Sequence, residues 1–140
     1  MAPRVAVVDS GPLYAAADQD DPNHRRCLTV LEDGSIRLVI PALVVAEVAY
    51  LIGQRLGARA EVRFVASLRD YDVRCPEPED WNRISGLVEK YADLPLGAAD
   101  ASVIVLADRF RTRLILTTDR RHFRVTRSMV GQPFELLPEL

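Results

Sequence analysis

Val5-Ala6-Val7-Val8-Asp9-Ser10-Gly11-Pro12-Leu13 is the stretch from which the fold is read. Four apolar, mostly β-branched residues in succession suit a strand covered on both faces, as in a parallel sheet. The run ends on a carboxylate. Ser10 or Gly11 is suited to cap a following helix, and Pro12 to enter its first turn, where its missing N–H would have no partner anyway. Asp9 is therefore expected at the carboxyl end of a central strand, the edge where open α/β sheets bind ligands. A single Asp after a strand is commonly a turn or cap residue, so the reading depends on other acids in comparable places.

One such place lies near the other end of the chain. Leu114-Ile115-Leu116 is β-rich and runs into Thr117-Thr118-Asp119, so Asp119 repeats the position of Asp9. Two more acids sit within apolar helical patterns. Pro41 opens a helix through Leu56, and between Ala42 and Ile52 its one charged residue is Glu47. A helix apolar all round is a buried one, which places Glu47 among buried neighbours. Leu96–Ala107 repeats the pattern with Asp100 as its one acid. Helical spacing puts Asp100 on a stripe with Val103, Ile104 and Ala107, close to the first turn, where the positive helix end favours a carboxylate.

The intervening segments follow the same alternation. Leu13–Ala17 reads as a short helix, His24–Asp33 as a helix stopped by Gly34, and Ile36–Ile40 as the second strand. Arg59–Arg69 is a further helix, Tyr71–Cys75 a short strand, and Glu79–Tyr91 an amphipathic helix anchored by Trp81, Ile84 and Val88. Phe134–Leu137 is the last strand. Strands alternating with helices predict a three-layer α/β/α domain over residues 1–140, with a central parallel sheet of about five strands.

A chain of 140 residues is long enough for a real hydrophobic core, and its 27% of charged residues is ordinary. Cys27 and Cys75 form no C-x-x-C pair, which fits a reduced intracellular protein. No apolar stretch approaches signal-peptide or membrane-span length, and the expected location is the cytoplasm. The net charge of −2 does not announce a nucleic-acid partner, but its distribution is uneven. Between Asp108 and Arg127 stand seven arginines and two aspartates, whereas Lys90 is the sole lysine of the chain. Such a cluster fits either a solvated face or a track for RNA phosphates. Neither G-x-G-x-x-G nor G-x-x-x-x-G-K-[ST] occurs, so nothing supports a nucleotide cofactor.

Asp9, Glu47, Asp100 and Asp119 require one account. A buried carboxylate without a partner costs several kcal/mol. An arginine partner would explain one acid taken singly, whereas four together are better explained by a hard divalent cation such as Mg²⁺ or Mn²⁺. His24 and His122 raise the alternative of a metal-free, two-histidine ribonuclease. Only His122 lies near the acids in sequence, and it is retained as a substrate contact. A phospho-acceptor receiver domain also gathers acids at strand ends around Mg²⁺, but it needs a lysine after a late strand, and Lys90 lies in a predicted helix.

V-D-S at Val8–Ser10, the lone Glu47 in its apolar helix, G-A-A-D-A at Gly97–Ala101 and T-T-D-R-R-H-F at Thr117–Phe123 together resemble a PIN-domain nuclease. Their order and spacing look most like the VapC-type toxins of type II toxin–antitoxin pairs. The resemblance spans essentially the whole chain. It implies that Asp9, Glu47, Asp100 and Asp119 form a Mg²⁺ site, with Mn²⁺ as a substitute, and that Ser10 and Thr118 are small hydroxyl residues supporting those acids. It implies a metal-dependent endoribonuclease acting on RNA, transfer or ribosomal; Arg113, Arg120, Arg121 and His122, which adjoin Asp119 in sequence, are then the candidate RNA contacts. It also implies a small antitoxin partner and a homodimer. A housekeeping PIN nuclease and a degenerate PIN fold that only binds are the alternatives within that family.

Overall fold

The computed structural model describes residues 3–139. A five-stranded, wholly parallel sheet runs through it in the order β3-β2-β1-β4-β5. Strand β1 (Arg4–Val8) is central, flanked by β2 (Ile36–Pro41) and β4 (Leu114–Leu116). The outer strands are β3 (Asp72–Arg74) and β5 (Glu135–Leu137). Ala6, Val7 and Val8 of β1 and all three residues of β4 are at most 1% exposed. Successive strand residues point to opposite faces, so both faces of the sheet are covered, as the apolar runs predict.

The chain winds outward from β1 through α1 (Ser10–Ala17), α2 (His24–Leu31), β2, α3 (Ala42–Leu56) and α4 (Ala58–Ser67) to β3. It then returns through α5 (Asp80–Lys90) and α6 (Ala98–Arg109) to β4 on the other side of β1. Winding therefore reverses between β1 and β4. That reversal leaves a crevice at their carboxyl ends, because the connections leaving the two strands diverge there. Asp9 directly follows β1, and its amide donates to the Leu116 carbonyl at 2.9 Å, stitching the two strand ends together.

Helix α6 forms the firmest support beneath this crevice. Ala101 to Ala107 are buried without a break, and the helix packs on β1, β2 and β4. Helix α3 differs from the sequence expectation. Only Val44, Val48 and Ile52 are buried, a stripe at i, i+4, i+8, while Tyr50 is 66% exposed and Glu47 lies on the exposed side. Its all-round apolar composition therefore does not report burial. One stripe serves the core and the other faces outward, continuous in chain with the exposed Val62 and Val65 of α4. Trp81 is likewise an exposed residue rather than an anchor of α5, whose buried contact is Ile84.

One helix escapes the sequence reading altogether. Residues Arg120–Val125 form α7, a single short helix with His122 and Phe123 buried. Six residues cannot show a helical apolar period, and so short a helix has little stability of its own. Phe123, 1% exposed, holds it in the core.

Candidate active site

Asp9 is the most enclosed of the four acids, 2% exposed at the N-cap position of α1. The Thr117 hydroxyl donates to its Oδ2 at 2.8 Å, while Oδ1 is buried with no hydrogen-bond partner. Burial, then the charge of Asp100, push its pKa up to about 7; the Ser10 amide and the Thr117 hydroxyl act in the opposite sense, and Glu47 adds a smaller upward push. Like charges are thus brought together at a carboxylate already short of donors.

Asp100 sits in the first turn of α6, where its Oδ2 accepts from the Gly97 amide at 3.3 Å. Its pKa is also raised, chiefly by burial, with Glu47 and Asp119 adding to the effect and His122 opposing it. Glu47 therefore reaches the same centre electrostatically although it is not buried: it projects from the exposed side of α3, which packs against α6. Asp119 follows β4, with its side chain 42% exposed. The four acids converge on one crevice, two at strand ends and two on facing helices.

Thr117 is the support residue that the sequence reading missed. It is fully buried, and besides donating to Asp9 its Oγ1 accepts from the Asp119 amide at 3.0 Å. One hydroxyl thereby sets the carboxylate after β1 and the turn after β4. The T-x-D spacing carries the local signal for that second bond, since threonine hydroxyls commonly cap an amide two residues on. Thr118, expected in this supporting place, packs against Gly11 instead. A Cβ on Gly11 would collide with Thr118 Oγ1, so glycine is what lets the start of α1 lie against the end of β4. Replacing Gly11 by Ala is expected to destabilise the fold and displace Asp9, read as a lower melting temperature with reduced activity. The Ser10 hydroxyl makes no hydrogen bond among the described residues.

His122 also departs from expectation. It is 8% exposed, with its ring turned toward the acids. Its Nδ1 lies 3.3 Å from both Asp100 Oδ2 and Asp119 Oδ2, between the two carboxylates, yet both ring nitrogens are buried without a hydrogen-bond partner. His122 stands between the acid of α6 and the acid after β4. His24 takes no part: its Nδ1 donates to the Ala15 carbonyl at 2.7 Å, tying α2 to α1.

The arginine cluster is dispersed by the fold. Arg109 pairs with Asp80 on α5, and Arg120 turns inward to donate to the Pro138 carbonyl. Arg113 lies before β4, at the end of the sheet opposite the acids, leaving Arg121 as the exposed cation beside them. Arg113 and Arg120 thus do not form a wall at the acid centre. The reason is elementary: residues 109 to 127 traverse a helix end, a whole strand and a second helix, and cross the sheet from one end to the other.

The donor set fits a hard cation. It consists of carboxylate oxygens, one of them, Asp9 Oδ1, buried and without a hydrogen-bond partner. Among the described residues no three such groups already stand close enough to enclose an ion, and His122 stands between two of them. The acids are gathered but do not form a finished coordination shell.

A family model described as the PIN domain matches residues 6–128. Over 134 residues the chain is 35% identical to Ribonuclease VapC26 of Mycobacterium tuberculosis, a match covering 94% of this chain and 99% of that protein. Two solved structures share the fold. One is VapC20 of Mycobacterium tuberculosis, a sarcin-ricin loop cleaving toxin, with TM-score 0.71 and 16% identity over 79% of this chain and 86% of that one. The other is VapBC2 of Rickettsia felis bound to a DNA fragment from its promoter, with TM-score 0.67 and 12% identity over 96% and 99%.

Proposed function

The chain belongs to the PIN-domain family as one of its VapC-type members, and from that premise we propose that it is a metal-dependent endoribonuclease, the toxin of a toxin–antitoxin pair. The observation that carries this reading is the convergence of Asp9, Glu47, Asp100 and Asp119 at the reversal of the sheet, with Asp9 Oδ1 unpartnered. Asp9 and Asp100 are the principal ligands for Mg²⁺ or Mn²⁺, and Asp119 completes the set. When bound, the ion neutralises charge building on a phosphate oxygen and acidifies a water molecule. Thr117 keeps Asp9 turned toward the crevice, and His122 keeps Asp100 and Asp119 at a fixed separation. Glu47, open to solvent at the mouth, orients the attacking water and takes its proton on a carboxylate oxygen. Water as nucleophile leaves the RNA 2′-hydroxyl unused, so the products carry 5′-phosphate and 3′-hydroxyl ends.

The substrate on this reading is RNA, transfer or ribosomal, and the protein works in the cytoplasm; no described helix is long and apolar enough to cross a membrane. Partner surfaces are at hand for an antitoxin and for a second copy of the chain. A groove of about 390 Å³ opens between α1, α2 and α4, lined in part by Leu13, Leu28, Phe64 and Tyr71. Nearby, Tyr50, Val62 and Val65 leave apolar surface exposed.

The deciding experiment is cleavage of RNA by the purified chain, free of antitoxin, with Mn²⁺ and with EDTA. Cleavage that EDTA abolishes and excess Mn²⁺ restores is expected. Undiminished cleavage in EDTA would overturn the metal reading. Arg121 and Arg120 separate binding from folding in the same assay. Arg121→Ala should flatten the log–log salt dependence of RNA affinity by about 0.7 to 0.9, one phosphate contact. Arg120→Ala, which abandons the Pro138 carbonyl, should lower the melting temperature instead.

A further inference from the structure

A second basic site lies at the opposite end of the sheet from the acids. There a cavity of about 400 Å³ opens between the end of α6, the turn into β4 and the loop that follows α7. Arg111 and Arg113 line it, together with Thr112, Gln132, Met129 and Val130. Both arginines are exposed, and among the described residues neither has a carboxylate within ion-pair distance. The carboxylate in the lining, Asp108, is already engaged by Arg83 and by the Met129 amide at 3.1 Å. Glu135, whose carboxyl feels Arg113, is held by Arg4. The cavity therefore presents two guanidinium groups with no protein anion assigned to them.

Its walls are built rather than loose. Gln132 donates its amide to Ser128 Oγ at 3.1 Å, and the Ser128 amide donates to the Gln132 carbonyl at 2.9 Å. This closed loop presents Met129 and Val130 at its tip, 69% and 78% exposed. Arg111 sits at φ +53°, the left-handed position that ends α6, with Thr112 donating to the Ala107 carbonyl and Arg111 to that of Asp108. Glycine is the residue such a helix end favours. An arginine there is held in a backbone conformation that disfavours it, and its charge is directed at the cavity.

The surface between this cavity and the acids is also basic. Arg121, Arg124 and Arg127 are exposed, and among the described residues none pairs with a carboxylate. They follow the chain from α7, beside Asp119, down to Ser128 at the rim of the cavity. Arg127 is braced by Nη1 donating to the Arg124 and Thr126 carbonyls, both at 2.8 Å. Asp119 lies six positions after Arg113, so their Cα atoms are at most about 22 Å apart.

We propose that the Arg111–Arg113 cavity is a second RNA-binding site, holding a phosphate of the strand away from the acid centre while Arg121, Arg124 and Arg127 follow the backbone between the two. The exposed Met129 and Val130 offer an apolar shelf to the sugar and base of the nucleotide so held. Exposed, unpaired cations on the chain between the acids and the cavity favour RNA over an acidic protein segment, which would need the cavity alone. The inference rests on the ribonuclease reading above and adds to it a length requirement for the substrate.

The test is fluorescence anisotropy with two labelled RNAs, a trinucleotide and a mixed-sequence strand of about 24 nucleotides, in an Asp100→Asn background that suppresses cleavage. Arg111→Gly combined with Arg113→Ala should weaken the longer RNA roughly tenfold and flatten its log–log salt slope by about 0.7, the one single-strand phosphate contact held by the cavity. Trinucleotide affinity should not change. The double variant should keep its parent's melting temperature, since glycine relieves the left-handed position while Arg113 gives up only an exposed 3.4 Å bond to the Pro133 carbonyl, so lost binding is not ascribed to a damaged fold. An unchanged slope for the longer RNA, with binding otherwise intact, overturns the second site and leaves the ribonuclease reading standing. Absence of binding to either RNA by any form of the protein overturns both. Oligoglutamate binding that disappears in the double variant while RNA binding does not would assign the cavity to a protein and overturn the proposal.

Discussion

Asp9→Asn should reduce metal-supported RNA cleavage by about a thousandfold or more, equivalent to about 4 kcal/mol of transition-state stabilisation. The substitution nearly conserves shape and retains an oxygen for the Thr117 hydroxyl, which donates to Oδ2. It removes the charge of the most enclosed acid, whose Oδ1 has no other partner in the protein. A divalent ion loses both a ligand and the charge that draws it into the crevice. Thr117→Val tests the same geometry from behind: it deletes the hydroxyl shared by Asp9 and the Asp119 amide, and should cost less, roughly tenfold to a hundredfold. In cells, the wild-type chain expressed without its antitoxin should arrest growth, and Asp9→Asn should relieve the arrest. Wild-type rates in Asp9→Asn would rule the acid centre out as the reaction site. A wild-type chain that cuts RNA yet leaves growth untouched would make it a housekeeping nuclease.

In EDTA at pH 8, Asp100→Asn should melt several degrees higher than wild type, although it removes a native charge. Asp9 and Asp100 both have raised pKa values, Asp9 up to about 7, chiefly through burial; the charge of Asp100 adds to the shift at Asp9, and those of Glu47 and Asp119 to the shift at Asp100. The sign follows from linkage. A carboxyl whose folded pKa lies above its unfolded value binds protons more tightly when folded, so its contribution to stability is complete at low pH. That contribution declines as pH rises from about 4 to about 7, then levels off. For Asp9 the full span is on the order of 4 kcal/mol. For a domain of this length each kcal/mol moves the melting temperature by roughly 3 °C. The metal-free protein should therefore melt higher at pH 5 than at pH 8.

Asp100→Asn removes the charge that ranks next to burial in raising Asp9, so it should both stabilise the apo protein and flatten this pH dependence. Its Gly97 contact at 3.3 Å survives through the amide oxygen. Mn²⁺ binds the folded state and adds stability by mass action, and the variant, short of one ligand, should gain less than wild type. Thermal melts of both proteins at pH 5 and pH 8, with EDTA and with Mn²⁺, check every part of this. A variant that melts lower in EDTA yet responds normally to Mn²⁺ would mean that Asp100 is a structural acid and not part of a shared site.

The amino-acid sequence by itself determined whatever a single element records about its own surroundings. Val5–Val8 and Leu114–Leu116 read as strands covered on both faces because every successive side chain is apolar, and both strands are so covered. Asp9 and Asp119 read as strand-end acids because each terminates such a run. The alternation of strands and helices was enough for a parallel sheet. Composition was a poorer guide where one helix serves two environments. An apolar α3 was expected to bury Glu47, yet an outward stripe with Tyr50 exposed has the same composition as a buried one.

Tertiary structure alone decided which residues face one another across elements. Thr117 meets Asp9 across 108 positions of sequence because β1 and β4 are neighbours, and that adjacency follows from the strand order. His122 stands between Asp100 and Asp119 because Phe123 anchors α7 in the core, an element too short to leave a periodic signal. Seven arginines close in sequence separate in space because a strand between them carries the chain from one end of the sheet to the other. The physical reason is one of range. Periodicity reports burial within an element some ten residues long, whereas a site at a sheet reversal is assembled from elements that the chain reaches only after closing loops of up to a hundred residues.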